Sequence, residues 1–403
     1  MQGYVKGKPL FTSINNTNNQ YSYLTEDLET DVVIIGGGVT GSICSYYMSK
    51  SNIKSVLIEK GRIAHGSTSV TTSLLQYELD ENASELIESI SSKDIVRLYE
   101  LGLYALKEIE KFVDEYGNKC DYIKRDTLLY TSKNLEKNSI KEEYKFRKEN
   151  GLDVEYIDES NNLYGFDLKA GLLAKKGGAE IDPYKFTNHL LEVSIKEGGL
   201  VYENTEAKKI EYINEGAIVH TSYGYKIKAK KVIVATGYNT SLFTNKNFGS
   251  KYTTFNIATK PVKEIRGWKE GVLIRDNSDP YNYIRTTKDN RLIIGGEDID
   301  FKEIESEEIA FEKYSILEQR IKSMFKEIDD IEVEYKYCGC FETTKDNVGY
   351  IGPDKKHNDL WYCLGYGANG ILFAILGGMM LSKLYYNEKD DDMKLFDVNR
   401  FDN

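Results

Sequence analysis

Histidine is scarce in this chain, with four in 403 residues, and the five cysteines (Cys44, Cys120, Cys338, Cys340 and Cys363) are sparse and odd in number. A His-rich metal site is thereby excluded. Cys338-Gly339-Cys340 is too tightly spaced for a zinc knuckle and has no second cysteine pair beside it, so no metal is expected. The stretch from Met1 to Thr30 is polar, rich in Asn and Thr, and lacks an apolar segment of the secretory kind, so a reducing, cytoplasmic setting is expected. Proline is also rare, 5 of 403, which excludes Pro-rich linkers and collagen-like repeats. Basic charge is in deficit. Against 64 Asp and Glu stand 53 Lys and Arg, a net charge of −11, and no nucleic-acid partner is expected of such a surface. Long apolar runs are missing with one exception, Leu360 to Ser382, which carries no charge and is long enough to span a bilayer. Its glycines at 365, 367, 370, 377 and 378, with Asn369, break it into a strand, a turn and a buried helix from Ile371 to Leu384. No transmembrane span is expected.

What is present describes a globular protein. Hydrophobic residues make up 40% and charged residues 29%, enough for a sizeable core in about two or three folding units. Asp31-Val32-Val33-Ile34-Ile35 reads as a buried strand. Gly36-x-Gly38-x-x-Gly41 follows at once, then a helix from Ser42 to Lys50, a second apolar strand at Ser55 to Ile58, and Glu59. This order gives each glycine a task. Gly36 makes the tight turn, Gly38 lets a diphosphate approach the backbone, and Gly41 lets helix pack on strand. The diphosphate then rests on the helix N-terminus, where free N–H groups and the helix dipole favour anions. Glu59 is placed to accept hydrogen bonds from ribose hydroxyls, which disfavours a 2′-phosphate and leaves FAD or NAD.

Further along, a small-hydroxyl loop covers Gly66 to Ser73, and helical periodicity runs over Ser84 to Tyr116, about Glu136 to Asn150, and from Asp182-Pro183 to Gly198. Strands are expected at Lys208 to Ile213, Ala217 to Thr221, Tyr225 to Ala229, and Val232 to Ala235 before Thr236-Gly237. A run of strands follows at Phe255 to Val262, Val272 to Arg275, Tyr281 to Thr286 and Arg291 to Gly296, the last two joined by a hairpin. A helix over Glu303 to Phe325, strands at Tyr335 to Phe341 and Leu360 to Leu364, and the Ile371 helix complete the chain. The pattern is a discontinuous cofactor domain with a mainly antiparallel domain inserted.

The residues from Asp31 to Gly41, with Glu59-Lys60-Gly61-Arg62-Ile63-Ala64-His65-Gly66-Ser67-Thr68, resemble the start of the D-amino-acid oxidase family of FAD-dependent oxidoreductases, which includes glycine oxidase and sarcosine oxidase. Val232 to Gly237 resembles the family's central flavin strand. Gly365-Tyr366-Gly367-Ala368-Asn369-Gly370 resembles its C-terminal G-[HY]-G-x-x-G turn. The resemblance spans the chain from about residue 31 and implies an α/β (α+β) fold. It would hold a Rossmann-type FAD-binding domain made of residues 1–83, 160–245 and 340–403, with an inserted antiparallel substrate domain of residues 84–159 and 246–339.

It also implies which residues meet FAD. Gly36, Gly38, Thr40, Gly41, Glu59 and Lys60 form the dinucleotide end. Ser67 and Thr68 line the diphosphate and flavin loop, with His65 and Gln76 near it, and Ala207 (or Glu206) contacts adenine through backbone. Thr236, Gly237, Gly365, Gly367, Asn369, Gly370 and Ile371 stand at the flavin, where the positive end of the Ile371 helix stabilises the reduced form. For the substrate, period-two alternation puts Tyr281, Tyr283 and Arg285 on one strand face. An Arg between tyrosine hydroxyls suits a carboxylate. The cysteine that bonds flavin covalently in some relatives falls nearer Gly339 than Cys338 or Cys340, so non-covalent FAD is expected. The lysine that assists oxygen activation in some relatives falls near Ile293, and Lys260 reads as solvated, so oxygen or another acceptor remains open. The implied activity is oxidation of an amine or amino-acid C–N bond, with hydride passing to flavin N5 and the imine hydrolysed in water. The alternatives are an FAD-dependent dehydrogenase of a 2-hydroxy acid or glycerol phosphate, which would want more basic residues at the pocket, and a non-catalytic or partner-dependent flavoprotein subunit.

Overall fold

In the computed structural model the described residues are 5–15, 20–301, 307–367 and 369–402, and two sheets organise them. The smaller sheet runs Tyr350–Pro353, Leu360–Leu364, Lys226–Val234, Leu28–Ile35, Ser55–Ile58, Leu200–Tyr202. The last five of these strands pair in parallel through four ladders, and Ala217–Thr221 and Ala207–Tyr212 extend the sheet as an antiparallel hairpin. The central strand is apolar on both sides because both sides are covered. Val32 and Ile34 face one hydrophobic cluster and Val33 and Ile35 another. On the first face lie the helices Val39–Lys50, Pro183–Lys196, Gly370–Tyr385 and Ser92–Tyr116, packed on one another.

The larger sheet runs Val5–Gly7, Val333–Thr343, Ser250–Thr259, Leu292–Asp300, Tyr283–Thr286, Leu273–Asp276, Ile123–Thr131, Ala170–Glu180, Leu74–Gln76, with Val154–Asp158 paired to Ala170–Glu180. The helix Glu307–Met324 covers its outer face through Tyr314, Leu317 and Ile321. The inner face looks toward the cofactor sheet.

Most expected elements are present, with instructive differences. The first helix starts earlier, at Val39, within the glycine motif. The long helical stretch divides into Ala83–Leu86 and Ser92–Tyr116, because the Ser91 hydroxyl caps a new helix by accepting from Asp94 N at 3.2 Å. The two expected strands before Thr236 are one strand, Lys226–Val234. Asp182 caps the Pro183 helix as its sequence suggests, accepting from the amides of Tyr184 and Lys185. Positions 303–306 and Ala368 lie outside the described residues. The run from Leu360 to Ser382 is indeed divided between a strand and a helix, and among the described residues no helix is long and apolar enough to cross a membrane.

Sheet membership crosses the expected segment bounds in several places. Val5–Gly7, Leu74–Gln76 and Ala170–Glu180 belong to the larger sheet, although residues 1–83 and 160–245 read as cofactor segments. Val5–Gly7 pairs with Val333–Thr343, and Leu74–Gln76 pairs with Ala170–Glu180, which pairs in turn with Ile123–Thr131. Conversely, Ser92–Tyr116, inside the expected 84–159 segment, turns its apolar stripe toward the Gly370–Tyr385 helix of the cofactor layer.

One polar group is sunk in this packing. Arg147 is fully buried between the rings of Tyr77 and Tyr99, and its Nε donates to Glu143 Oε1 at 2.6 Å. Replacing it leaves Glu143 buried without its cation. Arg147→Ala is expected to cost about 3–5 kcal/mol of stability, read from the urea midpoint.

Candidate active site

Between the two sheets lies a cavity of about 510 Å³. At one end it is lined by Gly36, Gly37, Gly38, Val39 and Thr40, with Glu59 and Lys60 beside them. The turn depends on missing side chains. Gly36 has φ +116°, and a Cβ there would sit 2.4 Å from Ala235 O. A Cβ on Gly41 would sit 1.9 Å from Gly36 O, so Gly41 supports the turn from behind and is not itself a lining residue. Thr68 Oγ1 accepts from Val39 N at 3.0 Å, which places a hydroxyl at the helix N-terminus. Glu59 is held by two backbone donors, Gly37 N and Gly61 N, each at 2.8 Å. Carboxylate lone pairs remain for further donors.

The middle of the cavity is lined by Ser67, Thr68, His65 and Gln76 on one side and by Thr236, Gly237, Gly365, Gly367, Gly370 and Ile371 on the other. The ring of His65 is fixed edge-on to Tyr184, with Nδ1 2.7 Å from Ile63 O. Asn369 is not a lining residue. Its Nδ2 donates to Glu78 O at 2.8 Å and ties the Gly370–Tyr385 helix to the Gln76–Asn82 segment. Ala207 is not at the cavity either. It opens the outer hairpin and packs on the cluster around Val219. The turn just before it is the one that meets the Glu59 loop, through Glu203 Oε1, which accepts from Ile63 N at 2.6 Å, and Asn204 N, which donates to Gly61 O at 3.0 Å.

The far end is formed by the larger sheet. Tyr281 and Tyr283 line it with ring centroids 5.9 Å apart. Tyr283 Oη lies 2.7 Å from Thr254 Oγ1, and Tyr281 Oη donates to Asp80 Oδ1 at 3.1 Å. Burial holds both phenols well above the ordinary range, so they stay protonated. Arg285 shares the face of Tyr283 yet lies beyond the cavity. Its Nη2 donates to Ile181 O at 3.0 Å and its guanidinium stacks 5.3 Å from the centre of the Phe11 ring. The arginine that does line the cavity is Arg275, from the neighbouring strand, where it pairs with Tyr283. It is 6% exposed. Its Nη1 donates to Leu79 O at 2.9 Å and its Nη2 to Asn82 Oδ1 at 3.4 Å, while Nε has no partner among the described residues. The sequence signal was an arginine closing the apolar run Val272-Leu273-Ile274, a place where a charge needs a partner.

A diphosphate cradle, a ribose-binding acid and a cavity reaching a second sheet fit a dinucleotide with a large head group. Residues 31–384 match the family described as DAO, FAD dependent oxidoreductase. The chain belongs to the DAO family of FAD-dependent oxidoreductases. It is similar to glycine oxidase of Bacillus subtilis (strain 168), 24% identical over 387 residues that cover 92% of this chain and 97% of that protein. A second protein of that organism, provisionally named a Rieske 2Fe-2S iron-sulfur protein, is 24% identical over 94% of this chain and 73% of its own length. Among solved structures, glycine oxidase from Geobacillus kaustophilus has the same fold, with a TM-score of 0.78 at 18% identity over 93% of this chain and 98% of that one.

The cofactor of this DAO-family protein is FAD. Of the two neighbouring thiols, Cys338 packs on the outer face of the larger sheet with Phe255 and Tyr314. Cys340 is a lining residue, and burial pushes its thiol up to about 12. Lys260 is exposed and paired with Glu332, and Ile293 is core. Among the described residues no group of three or more His, Cys, Asp and Glu stands close enough to hold a metal ion.

Proposed function

We propose that this oxidoreductase acts on the C–N bond of an amine that carries a carboxylate, an amino acid in the broad sense. The observation that carries the reading is Arg275: a buried cation that lines the cavity and is oriented by Leu79 O and Asn82. A desolvated guanidinium calls for an anionic partner, and a carboxylate accepts from it with high directionality. FAD, when bound, supplies the two-electron acceptor.

The chain's own residues do the rest. Arg275 binds the carboxylate and fixes the substrate's orientation. Tyr281 and Tyr283, kept protonated and fixed by Asp80 and by Thr254 and Asn256, wall the site, shield it from water and leave phenol oxygen lone pairs to accept from the substrate. Gly36, Gly38 and Thr40 would accommodate the diphosphate and Glu59 the ribose, with Ser67, Thr68 and Gln76 lining the flavin loop and Gly370 and Ile371 offering a helix N-terminus to the flavin. With Cys338 turned away and Cys340 held as a neutral thiol, the flavin is bound without a covalent link. The similarity to proteins named glycine oxidase supports the same substrate class.

Acid precipitation of the purified protein is expected to release the flavin colour into the supernatant. Anaerobic mixing with amino acids and simple amines is expected to bleach it. Bleaching by a 2-hydroxy acid or glycerol phosphate, with no response to any amine, would overturn the C–N assignment. Reoxidation of the bleached protein by air against reoxidation by a dye then distinguishes oxygen from another acceptor.

A further inference from the structure

The cavity holds a second charged group that carboxylate binding does not use. Asp298, from the Leu292–Asp300 strand, lines the same end as Tyr283 and Thr254. Its Oδ1 is shut off from solvent and has no hydrogen-bond partner among the described residues. Every element around it has been occupied otherwise. Lys313, the cation that acts on it from the covering helix, is paired with Glu297 at 3.3 Å. Thr254 hydrogen-bonds to it from the adjacent strand, and Asp80 and Glu297 add like charge. Burial, helped by Asp80 and Glu297 and opposed by Thr254 and Lys313, pushes the carboxyl up to about 6. A carboxylate left in such a place is stabilised by a ligand that brings a positive charge.

Asp298 and Arg275 are not partners of each other. Arg275 packs under Tyr281, 5.4 Å from its ring centre, whereas Asp298 is bonded by Thr254, whose hydroxyl lies 2.7 Å from Tyr283 Oη. Both charges act on the Tyr281 phenol, and among the described residues no ion pair joins them. In a small amino acid the α-nitrogen belongs to the C–N bond that is oxidised, so it is not available to serve Asp298 as well. A longer molecule with an anion at one end and a protonated nitrogen at the other spans them.

We propose that Asp298 is a binding site for a second, distal cationic nitrogen of the substrate, so that the enzyme selects basic amino acids over small neutral ones. This rests on the carboxylate reading of Arg275. The interaction belongs to binding, not to the bond that breaks, so it is read without turnover.

The test compares two ligands of one shape, valerate and δ-aminovalerate, titrated against the FAD-loaded protein and followed by the shift of the flavin spectrum. The wild type is expected to bind δ-aminovalerate about ten- to a hundred-fold more tightly than valerate. Asp298→Asn is expected to bind the two alike, with valerate affinity and flavin content unchanged. Asp298→Ser serves if the amide variant does not fold. Equal affinities in the wild type, or a preference that survives in both variants, overturn the inference. If δ-aminovalerate binds and its preference vanishes in Asp298→Asn, but Arg275→Ala leaves both affinities untouched, the distal site stands and the carboxylate assignment falls.

Discussion

Arg275→Ala is expected to weaken carboxylate binding by about 2–5 kcal/mol, seen as a loss of valerate affinity and a matching rise in KM for an amino-acid substrate. The size follows from the setting. The guanidinium is almost wholly removed from water, with Glu81 and Asp276 the carboxylates that feel its charge, and truncation leaves the ligand's carboxylate desolvated without its cation. Arg275→Lys is expected to recover only part of the loss, since an ammonium cannot keep the fork contacts to Leu79 O and Asn82 while also donating into the cavity. Arg285→Ala makes the contrast. That side chain secures Ile181 O and the Phe11 ring, so its removal is expected to lower stability by about 1–3 kcal/mol in urea and leave valerate affinity near wild type. Equal affinity losses in the two variants would mean that Arg275 has no special place at the carboxylate.

Gly41→Val is expected to yield protein that purifies without colour and takes up FAD at least about a hundred-fold more weakly, roughly 3 kcal/mol. A Cβ at this position would stand 1.9 Å from a backbone oxygen of the turn, not from a side chain that can swing away. The helix must back off from the strand, and its N-terminal amides then no longer meet the diphosphate. Fluorescence of flavin released on heating, compared with wild type, reads the loss directly. Retention of full flavin content would show that the turn is more plastic than its contacts imply.

The cofactor half of this site was legible because its chemistry is local. A glycine turn between two apolar strands carries its own signature, and so does a run such as Leu360 to Leu364, which needs no distant information to be read as buried. The substrate half depends on distances that a sequence does not carry. Alternation assigned Tyr283 and Arg285 to one face, as found, but two residues advance a strand by about 6.6 Å. That step takes Arg285 out of the cavity and under Phe11. Arg275 reaches the cavity only through an antiparallel pairing with Tyr283. Asp298 reaches it beside a register shift opposite Thr253 and Phe255, which no periodicity announces. The strands at Ile123–Thr131 and Ala170–Glu180 were missed for a related reason. Charges and the Gly177-Gly178 pair interrupt their apolar rhythm, and their neighbours in the ladder supply what propensity does not.

The parallel order of the smaller sheet has a consequence for how the chain is made. Leu28–Ile35 leaves the ribosome early, but its neighbour Lys226–Val234 follows after more than half the chain, and the next strand, Leu360–Leu364, comes close to the end. The lining residues Gly365, Gly367, Gly370 and Ile371 are later still. The glycine turn therefore exists long before there is an enclosure for the flavin, and two apolar edges wait without partners during elongation. Pairings this distant in sequence fold slowly and leave hydrophobic surface open to aggregation. Vectorial synthesis thus makes cofactor capture a late, nearly terminal event of maturation. Nascent chains stalled before Leu360 should be sticky and colourless whatever the supply of FAD, and flavin retention should arise abruptly once the final helix is complete.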